Sequence, residues 1–429
     1  MWSAVNRSPR ALLLSGSLGL GHEMLVRSCG ELLESSGWRV ESLDCMQLLG
    51  RGRGSPGQHL FTRTVSTLPG VYDALHFAHL RTGSPLARAL DARARTRLVP
   101  ALRERIERET VDLVLSVFAT GASAAAELRA DGTLRAPAVV LCTDVTLHRL
   151  WVHPGTDLFL ATSPAAAASV LRYLPHADVA VVPPPVRPSF YKAPSKGRAR
   201  AELGIPRGEP CVLMIDSGWG LGRLEARVAA LGRAGVHVLA VAGRRHHLEQ
   251  GFRALAAADE HIHPFGFVDD VPLLMAAADV VAALPGATTC GEARVVGRPL
   301  LLLDAMPGHG RENLLHELEL GNAAACGPDP SDLVEAVFAL LERGPVNRGS
   351  ARPEPWEPAF AAALARVGVC VSAKGAGTSL ADGQVADGQV ADVPAARRQG
   401  GDGIVADGID RDGRRDGAPR DGVIDSART

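Results

Sequence analysis

Two glycine-rich loops, each placed between a short apolar run and a helical pattern, constrain this chain most. Ala11–Leu14 runs into Ser15–Gly21, and a helix follows from His22 to Ser35. Cys211–Ile215 runs into Ser217–Gly222, and a helix follows again. A buried strand, a turn whose glycines let a ligand approach the backbone, and a helix form the opening unit of a doubly wound α/β domain. Two such openings imply two such domains. Other apolar runs fit this plan. Arg39–Leu43, Val111–Val117 and Ala138–Cys142 read as strands in the first half; His237–Val241, Val280–Leu284 and Pro299–Leu303 do so in the second. Strands alternating with helices predict parallel sheets with crossover helices.

Pro183, Pro184, Pro185 and Pro188 cannot continue a helix or a central strand, so the boundary is placed there. The expected domains are residues 1–184 and 185–370, followed by a tail over 371–429. Trp356–Val369 reads as a last helix that packs back on the first domain. In the tail, ADGQV at Ala381–Val385 repeats at Ala386–Val390, and Asp-Gly pairs dominate. Such a segment buries too little apolar surface to offset its ordering entropy, so disorder without a catalytic role is expected. An interaction tail is the alternative.

Composition narrows the function classes. Aromatic residues are 4% of the chain and the formal net charge is −1, which speaks against base-stacking platforms and whole-molecule attraction to nucleic acid. The seven cysteines are scattered and form no CxxC, so neither a disulfide framework nor a cysteine zinc site is expected. Ala11–Leu14 is a strand rather than a signal-peptide core, and no apolar run reaches the length of a membrane span. A cytoplasmic location is expected, with peripheral contact at the inner face of the cell membrane left open.

The residues with chemistry cluster at strand ends. Pro285-Gly286 is a turn into a helix start at Thr288 and Thr289, with Glu292 one helical turn on. Backbone N–H groups there suit a diphosphate, and the carboxylate suits ribose hydroxyls. The first loop, with Gly19 and Gly21, has G-x-x-G-x-G spacing, unlike a nicotinamide fingerprint. His22 after it is either a base for an acceptor hydroxyl or a helix-start residue with a structural hydrogen bond. Asp144 ends a strand, where it could orient His22 or contact the acceptor; His148 and Trp151 follow on the acceptor side. Asp144, His148 and His153 lack a ligand-set spacing, so no metal is expected. Gly218 and Gly220 either cradle phosphate or make a tight turn. Arg244 could reach a base or phosphate, or be solvated. Phe267 and Val268 could flank a base, or Phe267 could be core. Residues 81–110 set Arg81, Arg88, Arg93, Arg95, Arg97, Arg103, Arg105 and Arg108 against Asp91, Glu104, Glu107 and Glu109. This is either a patch for anionic headgroups or a helix face with internal ion pairs.

Taken in order, these elements resemble the monogalactosyldiacylglycerol synthase-like glycosyltransferases, and more distantly the MurG type, both of glycosyltransferase family 28. The matching pieces are GLGH at Gly19–His22, Thr143-Asp144 with His148–Trp151 and His153-Pro154, P-V-R-P at Pro185–Pro188, SGWGLG at Ser217–Gly222, Gly266–Val281, Pro285–Glu292, and the element ending at Asn313. The resemblance spans about residues 10–345. It implies a GT-B fold: two Rossmann-like domains facing across a cleft, acceptor on the first and nucleotide sugar on the second. It implies inverting transfer of a hexose from a UDP-sugar to an acceptor hydroxyl, with diacylglycerol or a related lipid as the favoured acceptor and no metal cofactor. His22 is then the base, Glu292 the ribose ligand, and Gly286, Thr288 and Thr289 the diphosphate holders. His309 and Asn313 fall on the donor side. The family's lysine before the Pro-Gly turn is Leu284 here, its second glycine is Ala287, and its Gln-Glu pair is His309-Gly310. Those departures touch the donor sugar. They motivate one alternative, a non-catalytic nucleotide-sugar-binding protein; a separate one is an epimerase or transferase acting on a non-lipid small molecule.

Overall fold

The computed structural model describes residues 7–17, 20–50, 69–215, 224–303, 308–343 and 353–372. The tail expected over 371–429 lies outside these residues except at its first two positions.

The first lobe is built on β1 (Arg10–Ser15), β2 (Arg39–Asp44), β3 (Leu113–Ser116), β4 (Ala138–Cys142), β5 (Leu158–Ala161) and β6 (Val179–Val181). They form one parallel sheet in the order β2-β1-β3-β4-β5-β6. Helices α1 (Leu20–Ser35), α2 (Pro85–Arg108), α3 (Ala119–Ala130) and α4 (Pro164–Tyr173) cross over between strands. The strands read as unbroken apolar runs because both faces are covered. Ala11, Leu13, Leu113 and Leu115 pack with Leu33 of α1 on one face. Leu12, Leu14 and Val114 pack with Leu98 and Leu102 of α2 on the other. Helices α2 and α4 start where the sequence allows: Ser84 and Ser163 accept from backbone N–H groups, each followed by a proline in the first turn.

The second lobe repeats the plan. Strands β7 (Cys211–Ile215), β8 (His237–Val241), β9 (Ile262–Phe265), β10 (Val280–Ala283), β11 (Leu300–Leu302) and β12 (Ala323–Ala325) are parallel in the order β12-β11-β10-β7-β8-β9. Helices α5 (Leu224–Arg233), α6 (His246–Ala256), α7 (Val271–Ala277), α8 (Ala287–Val296), α9 (Gly310–Glu319) and α10 (Pro330–Arg343) cover it. Its two faces are again distinct cores, one through Leu213, Leu239 and Val281, the other through Val212, Val238 and Ala282.

A last helix, α11 (Glu357–Ala365), returns to the first sheet. Trp356 and Phe360 are fully buried with Leu13, Leu33 and Leu160, and the Trp356 indole donates to the Val186 carbonyl at 2.8 Å. The Trp38 indole in turn donates to the Cys370 carbonyl at 3.2 Å. The chain thus ends its described part on the lobe where it began.

Candidate active site

In each sheet the strand order reverses at one point, between β1 and β3 in the first and between β7 and β10 in the second. Crevices open beyond the carboxyl ends of strands at such points. Here the two crevices face each other and enclose a cavity of about 470 Å³. Helices α1 and α8 begin at its walls. They approach so closely that a Cβ added at Gly21 would lie 3.4 Å from the Thr288 hydroxyl.

The cavity gathers thirteen of the sequence-predicted site residues: Gly21, His22, Asp144, His148 and Trp151 from the first lobe, and Phe267, Val268, Gly286, Thr288, Thr289, Glu292, His309 and Asn313 from the second. Arg244 stands beside it. Its guanidinium stacks over the Phe267 ring at 4.6 Å and pairs with Glu23 of α1 at 3.3 Å. Phe267 itself is exposed rather than core. Gly19, Gly218 and Gly220 lie outside the described residues.

The N-terminus of α8 is shaped for an anion. Its cap is Gly286, and no side chain caps it, so the first N–H groups of the helix are left for a ligand. Glu292, in the second turn of α8, is buried and lies 3.6 Å from Arg187. Burial lifts its carboxyl to about 7 against the pull of that guanidinium. Arg187 stacks on Phe190 at 4.9 Å and reaches the Asp269 carbonyl at 3.5 Å. Sequence reasoning quoted the P-V-R-P element but gave its arginine no role. Leu284, where the related family carries lysine, is buried in the second lobe's core and offers only an apolar edge to the cavity.

His22 sits in the first turn of α1, edge-on to Phe118 with ring centroids 5.4 Å apart. Gly16 leaves room for that ring, since an added Cβ would meet it at 2.5 Å. Burial lowers the His22 pKa, opposed by the charge of Asp144. The imidazole is therefore neutral at pH 7 and has a lone pair for a proton. Asp144 makes its contacts across the cleft: it lies 3.6 Å from His309 Nε2 and accepts from the Asn313 amide at 3.4 Å. Asn313 Oδ1 accepts from the Val145 N–H at 3.2 Å. His309 and Asn313, expected on the donor side, thus meet the acceptor lobe through Asp144.

His76 was missed. It is buried, with ring centroids 6.0 Å from both His148 and His309. Burial first, then neighbouring histidines, push His76 down to about 4 and His148 to about 3. His76 opens a π-helical turn, His76–Leu80, a form that recurs at functional sites but has no sequence signature.

The arginine-rich segment is largely paired within the protein. Arg95 meets Asp91 and Glu127, Arg103 meets Asp131, Arg105 meets Glu41, Arg108 meets Glu104, and Arg81 crosses to Glu312. His153 is tied to the Leu150 carbonyl at 2.8 Å. No described helix is long and apolar enough to cross a membrane.

Residues 78–186 match the family model of monogalactosyldiacylglycerol (MGDG) synthase. A processive diacylglycerol beta-glucosyltransferase of Bacillus pumilus is 27% identical over 48% of this chain and 55% of its own length, so the chain spans about half of that relative. The enzyme of the same name from Bacillus cytotoxicus is 21% identical over 78% of this chain and 86% of its own. Among solved structures, Phytolacca americana UGT2 complexed with UDP-2fluoro-glucose and pterostilbene superposes with a TM-score of 0.52 at 11% identity, over 84% of this chain and 100% of that one. With two parallel six-stranded sheets facing across one cleft, the chain is a GT-B protein similar to the monogalactosyldiacylglycerol synthase-like glycosyltransferases.

Proposed function

We propose that the chain moves a hexose from a UDP-sugar to a hydroxyl of diacylglycerol or a related lipid, inverting the anomeric carbon. One observation carries this reading. A neutral imidazole, His22, and an uncapped helix N-terminus, that of α8, open into the same cavity from opposite lobes.

The diphosphate sits on the α8 N–H groups and the Thr288 and Thr289 hydroxyls, Glu292 accepts from the ribose, and Phe267 and Val268 flank the base. The acceptor O–H gives its proton to His22. Its oxygen bonds to the anomeric carbon, and the bond from that carbon to the phosphate oxygen breaks with its electron pair on the departing UDP. The α8 dipole stabilises that charge, so a chelator should leave the rate unchanged. Proton removal at His22 is worth about 10²–10⁴-fold. The acceptor side suits a lipid: Met24, Leu25, Leu75, Leu80, Leu150 and Trp151 line it.

Contact with an anionic membrane at the inner face of the cell fits the same lobe. Leu86 and Leu90 are exposed there, on the same helix face as Arg93 and Arg97, which have no carboxylate partner among the described ion pairs. Each well-placed arginine adds about 1 kcal/mol to such binding. Failure to sediment with anionic vesicles at low salt would end this part.

The transfer is tested with UDP-glucose and UDP-galactose on vesicles containing diacylglycerol, following glycolipid and UDP. Glycolipid formed by the wild type and lost in His22→Ala is expected. Free sugar or an isomer without glycolipid would point to the small-molecule reading. Tight UDP-sugar binding with no turnover would establish the binding-only reading suggested by Leu284, Ala287 and His309-Gly310.

A further inference from the structure

We infer a divalent-metal site at the edge of the second sheet opposite the cleft, where Glu209, His237 and His261 would hold an ion of the zinc class. Glu209 precedes β7, His237 opens β8 and His261 precedes β9. These strands are neighbours, so their N-terminal ends bring the three side chains to one place. One ligand atom from each lies within 4.8 Å of the others, the only such group among the described residues.

The surroundings are arranged as they are around metal-bound imidazoles. His237 Nδ1 is 3.0 Å from His263 Nε2, and His261 Nδ1 is 2.9 Å from Asp259 Oδ1. With Nδ1–H donating outward in each ring, both Nε2 lone pairs are free for an ion. Outer partners of this kind fix the tautomer and ring orientation of ligating histidines. The Asp259 carboxylate also accepts from the His261 N–H at 3.0 Å. Gly232 admits it, since a Cβ there would meet Asp259 Oδ2 at 2.4 Å. His237 Nε2 lies 2.7 Å from Glu209 Oε2, where the ion would take the place of a shared proton.

Two imidazoles and one carboxylate suit Zn2+ rather than Mg2+ or Ca2+, with water in the fourth position. His237 is buried, whereas half of the Glu209 side chain is exposed, so an ion can enter from solvent. Bound there, it would clip three strand ends together, away from the sugar-transfer cavity. Neither aligned spacing nor cysteine marks this site in the sequence; the fold assembles it.

The test is titration of the chelator-stripped full chain with Zn2+ against a chromogenic chelator, with thermal unfolding in parallel. One Zn2+ per chain and a raised Tm are expected. Saturation at 100 times Kd corresponds to about 2.7 kcal/mol. Glu209→Gln, at a half-exposed position, should keep the fold and lose the stoichiometric ion, and so should His261→Ala. Asp259→Asn should weaken binding about 10–100-fold. Cys370→Ser and His246→Ala, both at exposed positions, should change nothing. No stoichiometric Zn2+ in the wild type, unaltered binding in Glu209→Gln and His261→Ala, or loss of the ion in Cys370→Ser would each overturn the assignment.

Discussion

Replacing Glu292 with glutamine is expected to stabilise the ligand-free protein above neutral pH while weakening its hold on the donor. The carboxyl is buried, and its native-state proton is held to about pH 7 instead of 4.5. At about 1.4 kcal/mol per pH unit, the ionised form costs the native state about 3 kcal/mol. The attraction of Arg187, 3.6 Å away, is already contained in that value, since it offsets part of the effect of burial. The sign follows from proton binding. Between pH 4.5 and 7 the native protein holds a proton that the unfolded chain has released. Glu292 therefore favours folding fully below pH 4.5, and that favour is lost as pH rises through 7. Glutamine loses nothing over this range. The variant should match the wild type at pH 4 and exceed it by up to about 3 kcal/mol at pH 8.

Donor binding should move the other way. At pH 8, where Glu292 is ionised, a hydrogen bond from ribose to the charged acceptor is stronger than one to a neutral amide by about 1–2 kcal/mol, so UDP affinity should fall roughly 5- to 30-fold. Urea unfolding at pH 4 and pH 8 measures the first effect, and calorimetric titration with UDP measures the second. Two lobes need not unfold together, so the quantity to compare is the gap between wild-type and variant midpoints at the two pH values. A variant less stable than the wild type at pH 8, an equal gap at both pH values, or unchanged UDP affinity would each refute the reasoning.

Four further outcomes are expected. His22→Ala should lower kcat about 10²–10⁴-fold with little change in donor KM, and a change confined to KM would remove His22 from proton transfer. Acid should destabilise the protein through its neutral histidines: below pH 6.5 the unfolded chain binds protons that buried His76 refuses until about pH 4, a loss of about 1.4 kcal/mol per pH unit. His76→Asn should flatten the fall of the urea midpoint between pH 6.5 and 4.5, and an unaltered slope would contradict this. Trp356→Ala should cost about 3–5 kcal/mol by emptying a fully buried site and orphaning the Val186 carbonyl, read as a lower Tm. Asn313→Ala removes the bridge between Asp144 and the Val145 N–H, and should raise KM for both substrates while leaving Tm within a few degrees.

The legible parts of this molecule are those governed by neighbours in the chain. Strands such as Ala138–Cys142 and His237–Val241 declare themselves because a sheet covered on both faces needs an unbroken apolar run. The start of α8 declares itself because Gly286 and the small residues after it leave N–H groups open. The illegible parts are pairings between distant positions. Glu292 reads as a ribose ligand from its place in one helical turn, yet its ionisation is set first by burial and then by Arg187 from the interlobe segment. His309 and Asn313 read as donor-side residues, yet their partner is Asp144, just beyond β4. His76 carries no pattern, because its ring neighbours, His148 and His309, come from distant parts of the chain. Of these contacts, His309–Asp144, Asn313–Asp144 and His76–His309, with Arg81–Glu312 and Arg244–Glu23, cross from one lobe to the other. The exposed pair among them, Arg244–Glu23, is worth about 1 kcal/mol or less. The cleft is thus bridged by polar contacts between two lobes that each have hydrophobic cores of their own. A sequence predicts each core from its own hydrophobic periodicity, but the closure depends on geometry that exists only once both cores have formed.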